Sequence, residues 1–152
     1  MRLEEEFRGR TKRYASAIVQ LYVQLPRSRR EVEVLGHQLL RSGTSVAAQT
    51  REASRARSDA EFCSKIDGAL QEADESQLWI ELLREDCGIR GANIAKLHSE
   101  TNELIAIFVT MVNNTSGKIR RTASISAFPF FSLSAFQMNL MSELQFFRLS
   151  AF

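Results

Sequence analysis

The chain predicts an all-α fold, an up-down antiparallel four-helix bundle with a low-complexity C-terminal tail. Three observations predict it. Apolar residues recur at alternating steps of three and four over most of the length, which lines them up on one stripe of a helix. Only two prolines and seven glycines occur among 152 residues, in a composition rich in Leu, Ala, Glu, Arg and Gln, which favour helix. Breaks in the periodicity are short, and short connections make successive helices run antiparallel.

The first helix carries Phe7, Thr11, Tyr14, Ile18, Leu21 and Leu25 on one stripe, widened by Ala15 and Tyr22, until Pro26 stops it. The second is expected from about Arg29 to Arg57, with Val32, Leu35, Leu39, Val46 and Ala53 inward. Its middle, Ser42 to Ala48, is unusually small. A glycine inside a helix costs about 1 kcal/mol relative to alanine, so Gly43 predicts a close approach by another helix, from the same bundle or from a second copy. Ser58-Asp59-Ala60-Glu61 forms a capping box that opens the third helix. Phe62, Ile66, Ala69, Ala73, Ser76, Ile80, Leu83 and Cys87 make its stripe, and Gly88 and Gly91 end it. With a turn near Arg57-Ser58, positions of the second and third helices summing to about 115 lie level. Arg41 then stands beside Asp74 and Glu75 as a structural ion pair, and Glu52 near Lys65. The fourth helix carries Ile94, Leu97, Thr101, Leu104, Phe108 and Met111 and is expected to fade over Asn113 to Gly117. The bundle is accordingly assigned to residues 1–117 and the tail to 118–152.

The tail differs in kind. Seven of the ten phenylalanines lie in it, and three of them, Phe128, Phe136 and Phe152, end copies of x-[Ile/Leu]-Ser-Ala-Phe. A repeat this short cannot build a solenoid. The tail is expected to be disordered or weakly structured, with an aromatic docking segment as the alternative.

Several function classes are excluded. No stretch reaches the ~18 apolar residues of a membrane span, and the charged start, Met1 to Arg13, has no apolar core of a secretory signal. Cys63 and Cys87 stand about 36 Å apart along one predicted helix, too far to share a metal or a disulfide. Neither His37 nor His98 has the glutamate three residues before it that carboxylate-bridged metal sites in bundles use. No nucleophile motif or phosphate-cradling glycine loop occurs. The expectation is a cytoplasmic protein that is not an enzyme, with no cofactor, no metal, no membrane contact and no small-molecule substrate.

Charge is unevenly spread. Residues 1–57 hold twelve Lys/Arg and six Asp/Glu, whereas residues 58–100 hold four and ten. Complementary halves can pair within the bundle or between copies, or the basic part can attract a polyanion. Arg8, Arg10, Lys12 and Arg13 open the first helix, and Arg51, Arg55 and Arg57 close the second. In an up-down bundle both groups fall at one end, a candidate surface for nucleic-acid phosphates. Few aromatics interleave with them, so base-specific reading is not expected.

The run Leu35-Gly36-His37-Gln38-Leu39-Leu40-Arg41-Ser42-Gly43-Thr44-Ser45-Val46 resembles the signature of the four-helix-bundle proteins encoded within intervening sequences of 23S rRNA genes. The similarity continues through Arg51-Glu52-Ala53, Ala60-Glu61-Phe62, Glu72-Ala73-Asp74-Glu75 and Trp79-Ile80-Glu81-Leu82-Leu83, over roughly Phe7 to Thr115. Ala47-Ala48-Gln49-Thr50 departs from the more usual Gly-Ala-Asn-Tyr of members, and the tail lies outside the pattern. The resemblance implies a bacterial homo-oligomer, typically a ring of five bundles, linked to rRNA and without a defined biochemical activity. A distant relative is an accessory protein of diversity-generating retroelements. RNA association through the basic residues is therefore one expectation, and a protein-interaction adaptor with no nucleic-acid role is the other.

Overall fold

Pro26, the Ser54–Ser58 turn and the Gly88/Gly91 turn divide the chain into four helices: α1 (Glu5–Gln24), α2 (Arg30–Ala53), α3 (Asp59–Glu85) and α4 (Ala92–Ser126). The computed structural model describes residues 3–126. The chain divides into two compact units, of which the first, Met1–Ile119, holds the bundle core. Helix α4 itself continues to Ser126. The Phe/Ser repeats, and the expectation of disorder attached to them, lie almost wholly outside the described residues.

Caps and turns follow local chemistry. Ser58 Oγ accepts the Glu61 N–H at 3.1 Å, and the Glu61 carboxylate reaches back to accept the Arg57 N–H at 2.9 Å. Gly88 has φ +68° and Gly91 φ +142°, the left-handed region that glycine tolerates, and between them Ile89 N–H returns to the Leu83 carbonyl.

Two boundaries differ from the sequence expectation. Helix α2 ends at Ala53 rather than Arg57, with the Ser54 hydroxyl donating to the Arg51 carbonyl, so Arg55 and Arg57 sit in the connecting turn. Helix α4 does not fade at 113–117. Thr115 is buried there, Ser116 Oγ meets Cys63 Sγ at 3.3 Å, and Lys118 Nζ pairs with Asp59 at 2.8 Å. Packing against the start of α3 overrides the weak helix propensity of Asn-Asn-Thr-Ser-Gly.

The core is the predicted set of stripes: Tyr14, Ile18 and Leu21 from α1, Val32, Leu39 and Val46 from α2, Phe62, Ile66, Ile80 and Leu83 from α3, and Ile94, Leu97, Leu104 and Phe108 from α4. Leu35 is only half-buried, and Gly36, Ser42 and Gly43 take the inward positions around it. Neighbouring helices are antiparallel. Gly43 faces Ile18 and Gly36 faces Leu25 between α1 and α2, Glu52 meets Lys65 between α2 and α3, and Gln77 meets Asn102 between α3 and α4. Arg10 reaches Glu100, and the Phe7 and Phe108 rings meet edge to face, closing α4 onto α1.

Across the middle of this core runs a layer of hydroxyls, one from each helix. Tyr14 Oη bonds Thr101 Oγ1 at 2.9 Å, and Ser42 Oγ bonds Ser76 Oγ at 2.8 Å. Ser76 also lies close enough to Tyr14 to act on its hydroxyl, which sets the two pairs side by side. All four residues are at most 2% exposed. Thr101 gives its own proton to the Leu97 carbonyl, so Tyr14 is the donor in that pair. Tyr14→Phe is expected to cost about 1–2 kcal/mol, the loss of a buried hydrogen bond. Urea denaturation followed by helical circular dichroism checks this, and an unchanged midpoint at constant slope would deny the layer a stabilising role.

Candidate nucleic-acid interface

Antiparallel packing of α1 and α2 places the start of one beside the end of the other. Arg8 and Lys12 stand one turn apart on α1 and face Arg51 from the end of α2 and Arg55 from the turn that follows it. The four cations, with Glu52, line a cleft of about 370 Å³ whose remaining walls are Ala47 and Ala48. The small side chains leave the space open between the longer basic ones. Arg8 is half-buried, and its Nε is fully buried with no hydrogen-bond partner among the described residues. A buried donor without a partner carries its whole desolvation cost. No described carboxylate lies within ion-pair distance of Arg8, Lys12, Arg51 or Arg55. Glu52, the one acid in the lining, is held by Lys65 Nζ at 2.6 Å.

The other candidate cations are placed elsewhere. Arg10 turns to α4, with Nε 2.7 Å from Glu100 and Nη2 2.6 Å from Glu103, two bonds that raise its already high pKa further. It is a structural cation of the α1–α4 seam. Arg13 lines a neighbouring, mixed-charge hollow with Arg10, Tyr14, Glu100 and Glu103. Arg57 projects into solvent from the α2–α3 turn, with Glu61 3.8 Å away. Sequence reasoning missed Glu100 and Glu103, whose carboxylates lie about 90 residues along the chain from Arg10. No turn joins α1 directly to α4, so the sequence carries no local signal of their relative level.

Among the structural candidates, Arg41 pairs with Glu75, as expected, and with Glu72 at 3.5 Å rather than with Asp74, which is exposed. One step of helix separates the two outcomes: Glu72 and Glu75 share the α2-facing side of α3, and Asp74 points away from it. Burial pushes the Glu72 carboxyl above the ordinary range, and the Arg41 charge opposes that only in part. A raised folded-state pKa of an acid favours the protonated fold, so its contribution is present at low pH and is lost as pH rises through the raised value. Glu72→Gln is therefore expected to gain stability over wild type as pH rises to neutrality and to show no gain near pH ~3, below the unfolded carboxylate value. Urea midpoints of both proteins at the two pH values test it; a gap independent of pH counts against the assignment. Gly43 lies inside the bundle, against Ile18, and not on a surface open to a second copy.

Among the described residues no group of three or more metal-ligating side chains occurs, and no helix is long and apolar enough to cross a membrane.

The sequence model of the 23S rRNA-intervening sequence proteins matches residues 6–110, well over half of the chain. A crystal structure of a protein of unknown function from the S23 ribosomal protein family of Bacteroides thetaiotaomicron superposes with a TM-score of 0.62 at 31% sequence identity, covering 69% of this chain and 96% of that one. No curated protein matches the chain significantly.

Proposed function

The chain belongs to the 23S rRNA-intervening sequence protein family, and on that premise we propose that it is a non-catalytic, RNA-associated bundle that grips phosphates in the α1–α2 cleft. The observation that carries this reading is the set of four cations, Arg8, Lys12, Arg51 and Arg55, converging on one concave site without carboxylate partners. Phosphate contacts supply affinity without sequence information, which agrees with a cleft that offers charge but no aromatic platform. The working form is a homo-oligomer, a ring of five copies as the family resemblance implies, acting in the cytoplasm; repetition of the cleft around a ring would multiply its weak single-site affinity.

Binding of wild-type protein to a single-stranded RNA across a salt series tests the reading. Each phosphate contact releases condensed counterions, so four contacts give a log–log slope of about −3, from roughly −0.7 each. Absence of binding at about 50 mM salt, where such contacts are strongest, would sink it. A protein-interaction adaptor is the second reading, favoured by Val19 and Val23, two exposed apolar side chains one turn apart on α1. Under that reading the same experiment shows no RNA and no salt slope.

A further inference from the structure

Glu52 is the one negative charge in the lining of the basic cleft, and what it does there depends on a residue outside it. Lys65, from the second turn of α3, is not part of the lining, yet its ammonium sits 2.6 Å from Glu52 Oε2 and draws that carboxylate towards α3. We infer that Lys65 is a positioning residue for the cleft: by holding Glu52, it keeps the four cations available to phosphate, and loss of its charge lets Glu52 occupy the site in place of the ligand. This rests on the proposed phosphate-binding role of the cleft and deepens it by naming what sets its affinity.

The surroundings leave Glu52 few alternatives. Its side chain is half exposed. Arg51 precedes it on α2 and Arg55 follows three residues later, a spacing at which side chains meet. Arg8 and Lys12 face it across the cleft. Freed from Lys65, the carboxylate has four cations within the lining and no other described ammonium or guanidinium shown paired to it. A second acid, Glu61, also acts on Lys65 through space, but its carboxylate is engaged by the Arg57 N–H and guanidinium. Lys65 therefore has Glu52 as its hydrogen-bonded partner and Glu61 as a more distant charge. An internal carboxylate competing for the same cations is the cheapest possible inhibitor of an anion site, since it brings no association entropy. Control of the cleft thus belongs to one ion pair between α2 and α3, and any change that neutralises Lys65, such as acylation of its amine, would weaken phosphate binding without touching a lining residue.

The test uses the full-length chain and a fluorescent single-stranded oligouridylate at low salt. Lys65→Gln is expected to weaken binding about three- to tenfold, the effect of one unneutralised negative charge several ångströms from the phosphates. Lys65→Arg should keep wild-type affinity. Adding Glu52→Gln to Lys65→Gln should restore affinity to the wild-type level or above, because the competing carboxylate is gone. That rescue is what a merely structural role of Lys65 would not produce, and helical circular dichroism confirms that each variant is folded. Unchanged affinity in Lys65→Gln, or a loss that Glu52→Gln fails to reverse, overturns the positioning role while wild-type binding upholds the cleft. No binding by wild type overturns both.

Discussion

Gly43→Leu is expected to unfold the bundle. A Cβ built on Gly43 falls 2.0 Å from Ile18 Cδ1 and within 3.3 Å of Ile18 Cγ1 and Cγ2, so even alanine collides with α1. Ile18 is wholly buried, so any shift that admits the new atoms must be taken up within the core. Overpacking a tight core by one methyl costs roughly 1–3 kcal/mol, and Gly43→Ala recovers up to about 1 kcal/mol of that through helix propensity. Leucine adds three more carbons at the same point, and helices α1 and α2 must separate to admit them. The loss is then comparable to the whole stability of a small domain, about 5–15 kcal/mol. Ile18→Val removes the colliding atom, and alone costs about 0.5–1.5 kcal/mol. Combined with Gly43→Ala, it should cost less than the sum of the two single changes. Urea denaturation of the four proteins of this cycle decides; strict additivity would mean that the two residues do not meet in solution.

Replacing Arg8, Lys12, Arg51 and Arg55 together by Gln is expected to lower single-stranded RNA affinity roughly a hundredfold or more near 50 mM salt and to flatten the salt dependence, since counterion release disappears with the charges. Glutamine keeps the helix propensity of α1 and α2 nearly constant, so helical content should hold. Arg10→Gln is the matched control. It removes an arginine from the same turn of α1, but one already bound to Glu100 and Glu103; affinity should change by no more than about twofold, because that charge is neutralised in place. Equal losses from both substitutions would mean that net charge, not the cleft, attracts RNA.

Why the cleft was only half legible in the sequence follows from what periodicity encodes. The spacing of Phe62, Ile66, Ala69 and Ala73 states which side of α3 is buried, and Pro26 and Gly88 state where helices stop. Both are local properties, and the bundle and its stripes follow from them. The level of α2 against α3 was also readable, because the capping box at Ser58 pins the turn, and Glu52 does meet Lys65. Which way a long side chain leans around its helix is decided by neighbours across a seam. Arg10 and Arg8 stand two residues apart and were grouped as one basic end, yet one turns to α4 and the other to α2. Their separation needed the α1–α4 level, which no short turn fixes. The hydroxyl layer does leave a trace in the sequence: Ser76 and Thr101 stand in otherwise apolar stripes, and small polar residues at inward positions mark partners across a core.

That layer also limits how the bundle can move. Tyr14, Ser42, Ser76 and Thr101 meet at one height along four parallel axes. A piston stroke of one helix by a single turn, about 5.4 Å, would strand its hydroxyl among Leu and Ile side chains and orphan the partner it left, at about 1–3 kcal/mol for each group. Sliding is thus a forbidden gear. A motion that keeps the layer intact must carry all four helices together.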